Sequence, residues 1–287
     1  MIYFDVLHCE TDVAAHMRRL ISVGGGYSTL LLPWNRMKQD EEQSDPENAL
    51  VSLYHPKSPA SEAYRMLRTN VHFSGGGEAI QVLEVTSSFP GEGKSLTAAN
   101  LAITFAQAGD SVLLVDADMR RPTVHEKFQL PQTPGLSEAI VTGKYDDSMQ
   151  DGPLDGLKIM ASGTIPPNPS ELLHSDRMKD FLDEMKSRVD LVILDVPPVL
   201  VVADALALAP RADGVLLVVS LINSDKNGTK RSVEALRGVN ARVLGTVVRG
   251  IVPPRGKYGR KGYYNDYYYY YDSGYGADES AKETATK

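Results

Sequence analysis

A single cysteine, Cys9, stands in 287 residues. That excludes a disulfide framework and a thiolate metal site, and it fits a reducing cytoplasm. The chain also lacks any apolar stretch of the roughly 18 residues that a membrane-spanning helix needs, and it carries no signal-peptide pattern. Membrane attachment is therefore expected only through a partner or through sequence outside this chain, which reads as a fragment of a longer polypeptide. Positive charge is in deficit too: the formal net charge is −7, which argues against nucleic acid as a main partner. The length suffices for one sizeable α/β core with appendages.

Tyrosine, by contrast, is abundant and concentrated. Nine of the 14 tyrosines fall in the last thirty residues: Tyr258, Tyr263, Tyr264, Tyr267, Tyr268, Tyr269, Tyr270, Tyr271 and Tyr275. The segment has neither a helical nor a two-residue apolar period, and Gly, Asp and Asn interrupt it, so no packed element explains it. The polar, charged end from Asp278 to Lys287 reads as disordered. The tail alone supports two readings: a rack of phosphate-accepting phenols behind a nucleotide-binding core, or a low-complexity aromatic binding platform. Arg255, Lys257, Arg260 and Lys261 precede the cluster. They would hold the tail near a bound nucleotide or anionic headgroups, or serve as a solvated linker.

The core supplies the nucleotide site. Residues 82–95 read Val-Leu-Glu-Val-Thr-Ser-Ser-Phe-Pro-Gly-Glu-Gly-Lys-Ser: a short apolar strand, a glycine-bearing turn, then Gly-Lys-Ser opening a helix. This is the strand–loop–helix setting of a phosphate-binding loop. Gly91 and Gly93 can adopt backbone angles closed to other residues and let amide N–H groups approach phosphate. The helix N-terminus adds partial positive charge. Lys94 supplies a point charge and the Ser95 hydroxyl a Mg²⁺ ligand. The usual pattern would place glycine at position 88, where this chain has Ser88.

Two acidic sites accompany the loop. Val112-Leu-Leu-Val-Asp116 delivers Asp116 and then Asp118 at a strand end, and Leu191-Val-Ile-Leu-Asp195 delivers Asp195. Near-continuous apolar runs mark strands buried on both faces of a parallel sheet, and ligands of such sheets sit outside the strands' carboxyl ends. One such carboxylate is as readily a helix cap. Three beside a phosphate loop point to Mg²⁺-ATP.

These segments resemble the bacterial tyrosine kinases (BY-kinases), the cytoplasmic kinases of polysaccharide synthesis and export. Pro90-Gly-Glu-Gly-Lys-Ser95 matches their Walker A motif, Asp116-Ala-Asp-Met-Arg-Arg-Pro122 their Walker A′, and Leu194-Asp-Val-Pro-Pro198 their Walker B. The likeness runs from about Pro56 to Val252 and on into the tyrosines. Phe89 stands where the related septum-site and partition ATPases carry a second lysine. Val-Ala-Ile-Lys, His-Arg-Asp and Asp-Phe-Gly, the marks of eukaryotic-type kinases, do not occur. One departure is Gly245-Thr-Val-Val-Arg249, where the family often reads adenine with asparagine; Arg249 would stack on the base instead.

The resemblance implies a P-loop NTPase-like, doubly wound and mostly parallel α/β sheet with deviant Walker motifs. It implies ATP bound by Pro90, Gly91, Glu92, Gly93, Lys94, Ser95, Leu96 and Arg249, and Mg²⁺ held by Ser95, Asp118 and Asp195. Lys94, Asp116, Asp118 and Asp195 would carry the chemistry, with Asp116 accepting the phenol proton and Asp116 and Asp118 able to exchange roles. Arg120 and Arg121 would steady the phenol or a neighbour's anions, or act as plain surface charges. Glu62, Arg65 and Arg68, spaced Glu-x-x-Arg-x-x-Arg, match the family's interface for a ring, octameric by resemblance; the bland reading is intrahelical pairing. A transmembrane co-polymerase, as subunit or fused domain, and a tyrosine phosphatase are the other implied partners, at the inner face of the plasma membrane. The rival readings are a nucleotide-switched ATPase with a passive tail, and a scaffold that binds nucleotide without catalysis.

Three parts follow: a connector over 1–52 (with Gly24-Gly-Gly26 and an acidic stretch from Gln39 to Glu47), a kinase domain over 53–252, and a flexible tyrosine-rich tail over 253–287. Helices are expected at 59–72, 94–108, 169–187, 203–209 and 227–239, and strands at 81–87, 111–117, 157–161, 190–195, 213–219 and 242–248. Ser58 and Asn168 are expected as N-caps, each followed by proline. An extended chain spans about 3.3–3.6 Å per residue, so Tyr267 to Tyr271 would reach on the order of 50 Å beyond the core.

Overall fold

The computed structural model describes residues 3–5, 49–75 and 78–250. The tyrosine cluster, the basic stretch before it, Cys9, the glycine triplet and the acidic stretch lie outside the described residues. In chain order the elements are β1 (Tyr3–Asp5), α1 (Val51–Tyr54), α2 (Pro59–Phe73), β2 (Val82–Ser87), α3 (Lys94–Gln107), β3 (Val112–Asp116), α4 (Val124–Phe128), α5 (Leu136–Thr142), β4 (Gln150–Asp151), β5 (Leu157–Met160), α6 (Pro169–His174), α7 (Asp176–Arg188), β6 (Leu191–Asp195), α8 (Asp204–Leu208), β7 (Gly214–Ser220), α9 (Lys226–Gly238) and β8 (Val243–Arg249).

The apolar runs become strands for the expected reason. Every residue of β2, β3, β6 and β7 is buried, because helices cover both faces of the sheet. Strand order is β1-β8-β7-β2-β6-β3-β5-β4. The six strands from β8 to β5 run parallel, and β1 and β4 pair antiparallel at the two edges. Side chains alternate between two cores. Leu83, Val85 and Leu114 face Leu67, Val71, Leu101 and Phe105 of α2 and α3. Leu113, Val115 and Leu194 face Ile140, Phe181, Met185 and Leu236 of α5, α7 and α9. The doubly wound, mostly parallel architecture expected from the sequence is the one observed.

Local differences have local causes. The single helix expected over 169–187 is two, because Ser175 adopts extended angles (φ −64°, ψ 157°) that end α6 and start α7. Its hydroxyl accepts the Met178 N–H at 3.3 Å, and the Arg211 guanidinium gathers the carbonyls of Leu173, His174 and Ser175 around the break. Ser58 caps α2 as expected, accepting Ser61 N–H at 3.2 Å. Asn168 occupies the expected N-cap of α6 but makes no side-chain cap bond; its amide donates to Glu171 at 3.2 Å instead. Residues 49–52, which fall in the expected connector, pack onto α3. Leu50 is buried in the core, and the Asn100 side chain accepts Ser52 N–H at 2.9 Å and donates to the Ala49 carbonyl at 2.8 Å.

One residue of the central strand carries a buried carboxyl. Glu84 is 0 % exposed, sits between Leu194 and Val215 of the flanking strands, and neither carboxyl oxygen has a partner. Burial pushes its carboxyl well above the ordinary range, so the group is protonated in the folded chain and ionised when unfolded at neutral pH. The folded chain then binds the extra proton, and stability falls as pH rises above the ordinary carboxylate range. Glu84→Leu is expected to stabilise the fold by roughly 1–3 kcal/mol at neutral pH, by removing an unsatisfied buried group. Thermal melts between acid and neutral pH check this: the gain over the native chain should grow with pH, and a gain independent of pH would contradict the protonated carboxyl.

Candidate active site

The register of three adjacent strands builds the site. Val85 of β2 lies opposite Asp195 of β6, and Asp195 lies opposite Asp116 of β3. Their carboxyl ends therefore project the phosphate loop, Asp195 and the Asp116–Asp118 pair into one crevice, as open α/β sheets require. In the loop, Gly91 (φ 79°) and Gly93 (φ 86°) take left-handed angles, and Gly93 is the residue from which α3 starts. The N–H groups of Gly91, Glu92 and Gly93 donate to no acceptor among the described residues. Free N–H groups gathered at a helix N-terminus suit an anion. Ser88, in place of the usual glycine, uses its hydroxyl to meet Ser232 of α9 at 2.9 Å.

Lys94 Nζ lies 2.8 Å from Asp118 Oδ2 and 3.2 Å from Asp195 Oδ1. Burial works to lower this amine, but Asp195 and Asp118 overcome it and hold it well above its ordinary value. The three carboxylates still outnumber the lysine. Burial raises Asp195, against the pull of Lys94; burial raises Asp116 as well, reinforced by Asp195. Asp195 Oδ2 is buried with no partner, and the Ser95 hydroxyl stands 3.3 Å from Lys94 Nζ. An excess of carboxylate, an orphaned acidic oxygen and a serine hydroxyl suit a hard divalent cation. Among the described residues no cluster of three His, Cys, Asp or Glu forms a closed cage. Mg²⁺ fits such a site, since it is ordinarily held by one or two carboxylates completed by phosphate oxygens and water.

Asp116 differs from its neighbours. It is 0 % exposed, and its two oxygens accept the N–H groups of Asp118 (3.2 Å), Thr123 (3.0 Å) and Val124 (3.0 Å). It thus closes the turn after β3 and caps α4, a core role that its position at the crevice did not suggest. Asp118 receives the Arg120 and Arg121 N–H groups at 3.3 and 3.0 Å on one oxygen, leaving the other to Lys94. The Arg120 side chain is a tether rather than a free surface charge: it grips the fully buried Asp204 at 2.9 and 3.1 Å and reaches Ser170 at 3.1 Å. The Arg121 side chain has no hydrogen bond or ion pair among the described residues.

Arg249 ends β8 beside the loop. A Cβ on Gly93 would lie 1.3 Å from its guanidinium, so glycine is required there for this approach as well as for its φ. Burial raises the Tyr64 hydroxyl, while the charge of Arg249 and a bond to Thr97 pull it back. The triad expected at an interface is engaged within the chain: Arg65 pairs with Glu62 at 3.1 Å and reaches the Pro56 carbonyl at 2.9 Å, and Arg68 donates to the Thr104 carbonyl at 2.7 Å. A further half-buried cation beside the crevice is Lys127 of α4. Burial lowers its amine despite the charge of Asp195, and it forms no ion pair among the described residues. Nothing local marks it, because its place depends on Asp116 pinning α4.

A protein family described as AAA domain matches residues 81–245. Tyrosine-protein kinase YwqD of Bacillus subtilis (strain 168) is 42 % identical over 216 residues, covering 75 % of this chain and 90 % of that protein. Tyrosine-protein kinase etk of Escherichia coli (strain K12) is 34 % identical over 205 residues, covering 70 % of this chain and 28 % of that longer protein. The solved kinase domain of Escherichia coli tyrosine kinase ETK superposes with a TM-score of 0.70 at 30 % identity, covering 77 % of this chain and 86 % of that one.

The bonds of Asp116 generate a stability prediction. Asp116→Ala leaves three backbone donors, two of them in buried bonds, without acceptors and is expected to cost roughly 1–3 kcal/mol more than Asp118→Ala. Denaturant titration of both variants reads this directly, and equal losses would remove the capping role.

Proposed function

This chain belongs to the bacterial tyrosine-protein kinases, and from that premise we propose that it passes the γ-phosphoryl group of Mg²⁺-ATP to the tyrosines of its own C-terminal cluster, chiefly between subunits of a ring. The observation that carries this reading is Lys94 paired with Asp118 and Asp195 at the mouth of a phosphate nest. In this reading Pro90 to Leu96 wrap the phosphates, with Arg249 above Gly93 as a further cation toward the nucleotide. Lys94 leaves its carboxylates for the β- and γ-phosphates, where charge builds during transfer. Ser95 and Asp195, with Asp118 beside them, would hold Mg²⁺, which would supply charge neutralisation at the phosphate oxygens. The enclosed oxygens of Asp116 favour the exchange of roles that the sequence left open. Asp118 then accepts the proton that the phenol, of pKa about 10, gives up as its oxygen bonds to the γ-phosphorus, while the bond from that phosphorus to the β,γ-bridging oxygen breaks and ADP leaves. Asp116 fixes the turn that presents Asp118.

Assembly through Glu62, Arg65 and Arg68, all half-buried, requires exchanging their intrachain partners for those of a neighbour. Phosphates on adjacent tyrosines, each adding about −1.5 to −2 charges, would repel one another and the acidic body, withdraw the tails and loosen the ring until a phosphatase resets them. The length of etk outside the match supports a membrane part or partner, of the polysaccharide co-polymerase type that the resemblance implies. No helix among the described residues is long and apolar enough to cross a membrane.

The test incubates the protein with γ-labelled ATP and Mg²⁺. Label on tyrosine is expected, and Lys94→Met, with its fold checked by circular dichroism, should abolish it. Label released only as free phosphate would favour the switch ATPase. Mixing full-length Lys94→Met with an active chain truncated after Gly256 should label the inactive partner's tyrosines; an unlabelled partner would contradict transfer between chains. Replacing Glu62, Arg65 and Arg68 together by Ala should reduce the assembly to monomer in sedimentation velocity, and an unchanged profile would remove the interface.

A further inference from the structure

The phosphate loop is fastened by a carboxylate of its own. Glu92 is 1 % exposed. Its Oε2 accepts the N–H groups of Ser88 at 2.7 Å and Phe89 at 3.0 Å, and its Oε1 accepts the Ser224 hydroxyl in a short contact. The direction of that bond follows from the other partner of Ser224. Its Oγ already accepts the Ser220 N–H at 2.7 Å, so its proton is free to point at Glu92. A carboxylate served by three donors is a filled acceptor, not an anion waiting for a ligand.

Parallel contacts tie the same two pieces of chain. Asn223 Nδ2 donates to the Gly91 carbonyl at 3.2 Å. The Phe89 ring lies over Gly228 at the start of α9, where a Cβ would come within 2.5 Å of it. Phe89 thus uses the position of the absent second lysine for packing. The turn after β7 is in turn held to the last strand: Leu221 N–H donates to the Arg249 carbonyl at 3.0 Å, and the Ile222 side chain lies 3.3 Å from where a Cβ of Gly250 would project. Phosphate loop, turn and the end of β8 therefore form one connected unit.

We propose that Glu92 and Ser224 are positioning residues for the nucleotide: their hydrogen bond holds the phosphate loop in its phosphate-wrapping shape and fastens it to the turn at residues 221–225. Glu92 occupies the amides at the loop's entry, so that the phosphates meet those of Gly91 to Gly93. This rests on the nucleotide reading above but adds a partner from a distant stretch of sequence. It also joins the loop to the place where the chain runs on toward the tyrosines.

The experiment measures the Kd of a fluorescent ATP analogue, together with KM for ATP and kcat for tyrosine labelling, in Glu92→Ala, Ser224→Ala, the double variant and Ser224→Thr. Each single Ala variant should weaken nucleotide affinity by about tenfold, the size of a lost hydrogen bond to a charged group, with the loss falling on KM more than on kcat. The double variant should lose clearly less than the product of the two single losses, because both remove the same Glu92–Ser224 bond, and Ser224→Thr should retain affinity. Unchanged affinity in both single variants, or losses that multiply in the double variant, would overturn the proposal. Binding is read without turnover, so a chain that binds nucleotide but labels no tyrosine would fail the kinase mechanism above and leave this inference standing or falling on affinity alone.

Discussion

Everything in the crevice depends on one buried charge arrangement: a lysine held between two aspartates at the ends of neighbouring strands. Removing charges from water is expensive, and a buried pair endures only where geometry and further bonds compensate. Here β2, β6 and β3 lie side by side, so a single register fixes the distances of Lys94 to Asp195 and Asp118. The arrangement remains out of balance, three carboxylates against one lysine, and burial with mutual repulsion raises Asp116 and Asp195. That excess of negative charge suits a divalent cation, which Ser95 and Asp195 with Asp118 would hold under the proposed function. Lys94 would then be free to meet phosphate.

Around that centre the carboxylates divide the work by their surroundings. Asp116 serves backbone N–H groups and shapes the turn. Asp195 keeps an unpartnered oxygen, as a metal ligand would. Glu92 shapes the loop from inside, and Asp204 anchors Arg120. Identical chemical groups become cap, open acceptor, brace and anchor because different donors reach them. Among the described residues, Glu84 is the buried carboxyl with no donor on either oxygen, and burial keeps it protonated in the middle of the sheet.

The legible parts of this molecule were those written in short stretches of chain. Apolar runs ending in aspartate, a turn of Pro-Gly-Glu-Gly before Lys94, and the cap at Ser58 are local signals, and the sheet and crevice followed from them. Ser175 carried a local signal as well, serine before an acidic first turn, but the apolar stripe of α7 masked it. The roles of Asp116, Arg120 and Glu92 were not legible, since their partners are remote or conformational. Arg120 and Asp204 are 84 residues apart, and Glu92 and Ser224 are 132 apart. Residue type alone gives no sign of such a pairing. The engagement of Arg68 with the Thr104 carbonyl likewise depends on how α2 packs on α3.

The central claim is that nucleotide replaces the aspartates as the partner of Lys94. A crystal structure of the protein with Mg²⁺ and a non-hydrolysable ATP analogue tests it most directly. The account predicts Lys94 Nζ within hydrogen-bond distance of the β- or γ-phosphate, no longer paired with Asp118 or Asp195, and Asp195 Oδ2 turned to the metal or to a water that binds it. A bound nucleotide with Lys94 still gripped by both carboxylates, or with its phosphates away from Gly91 to Ser95, would contradict it.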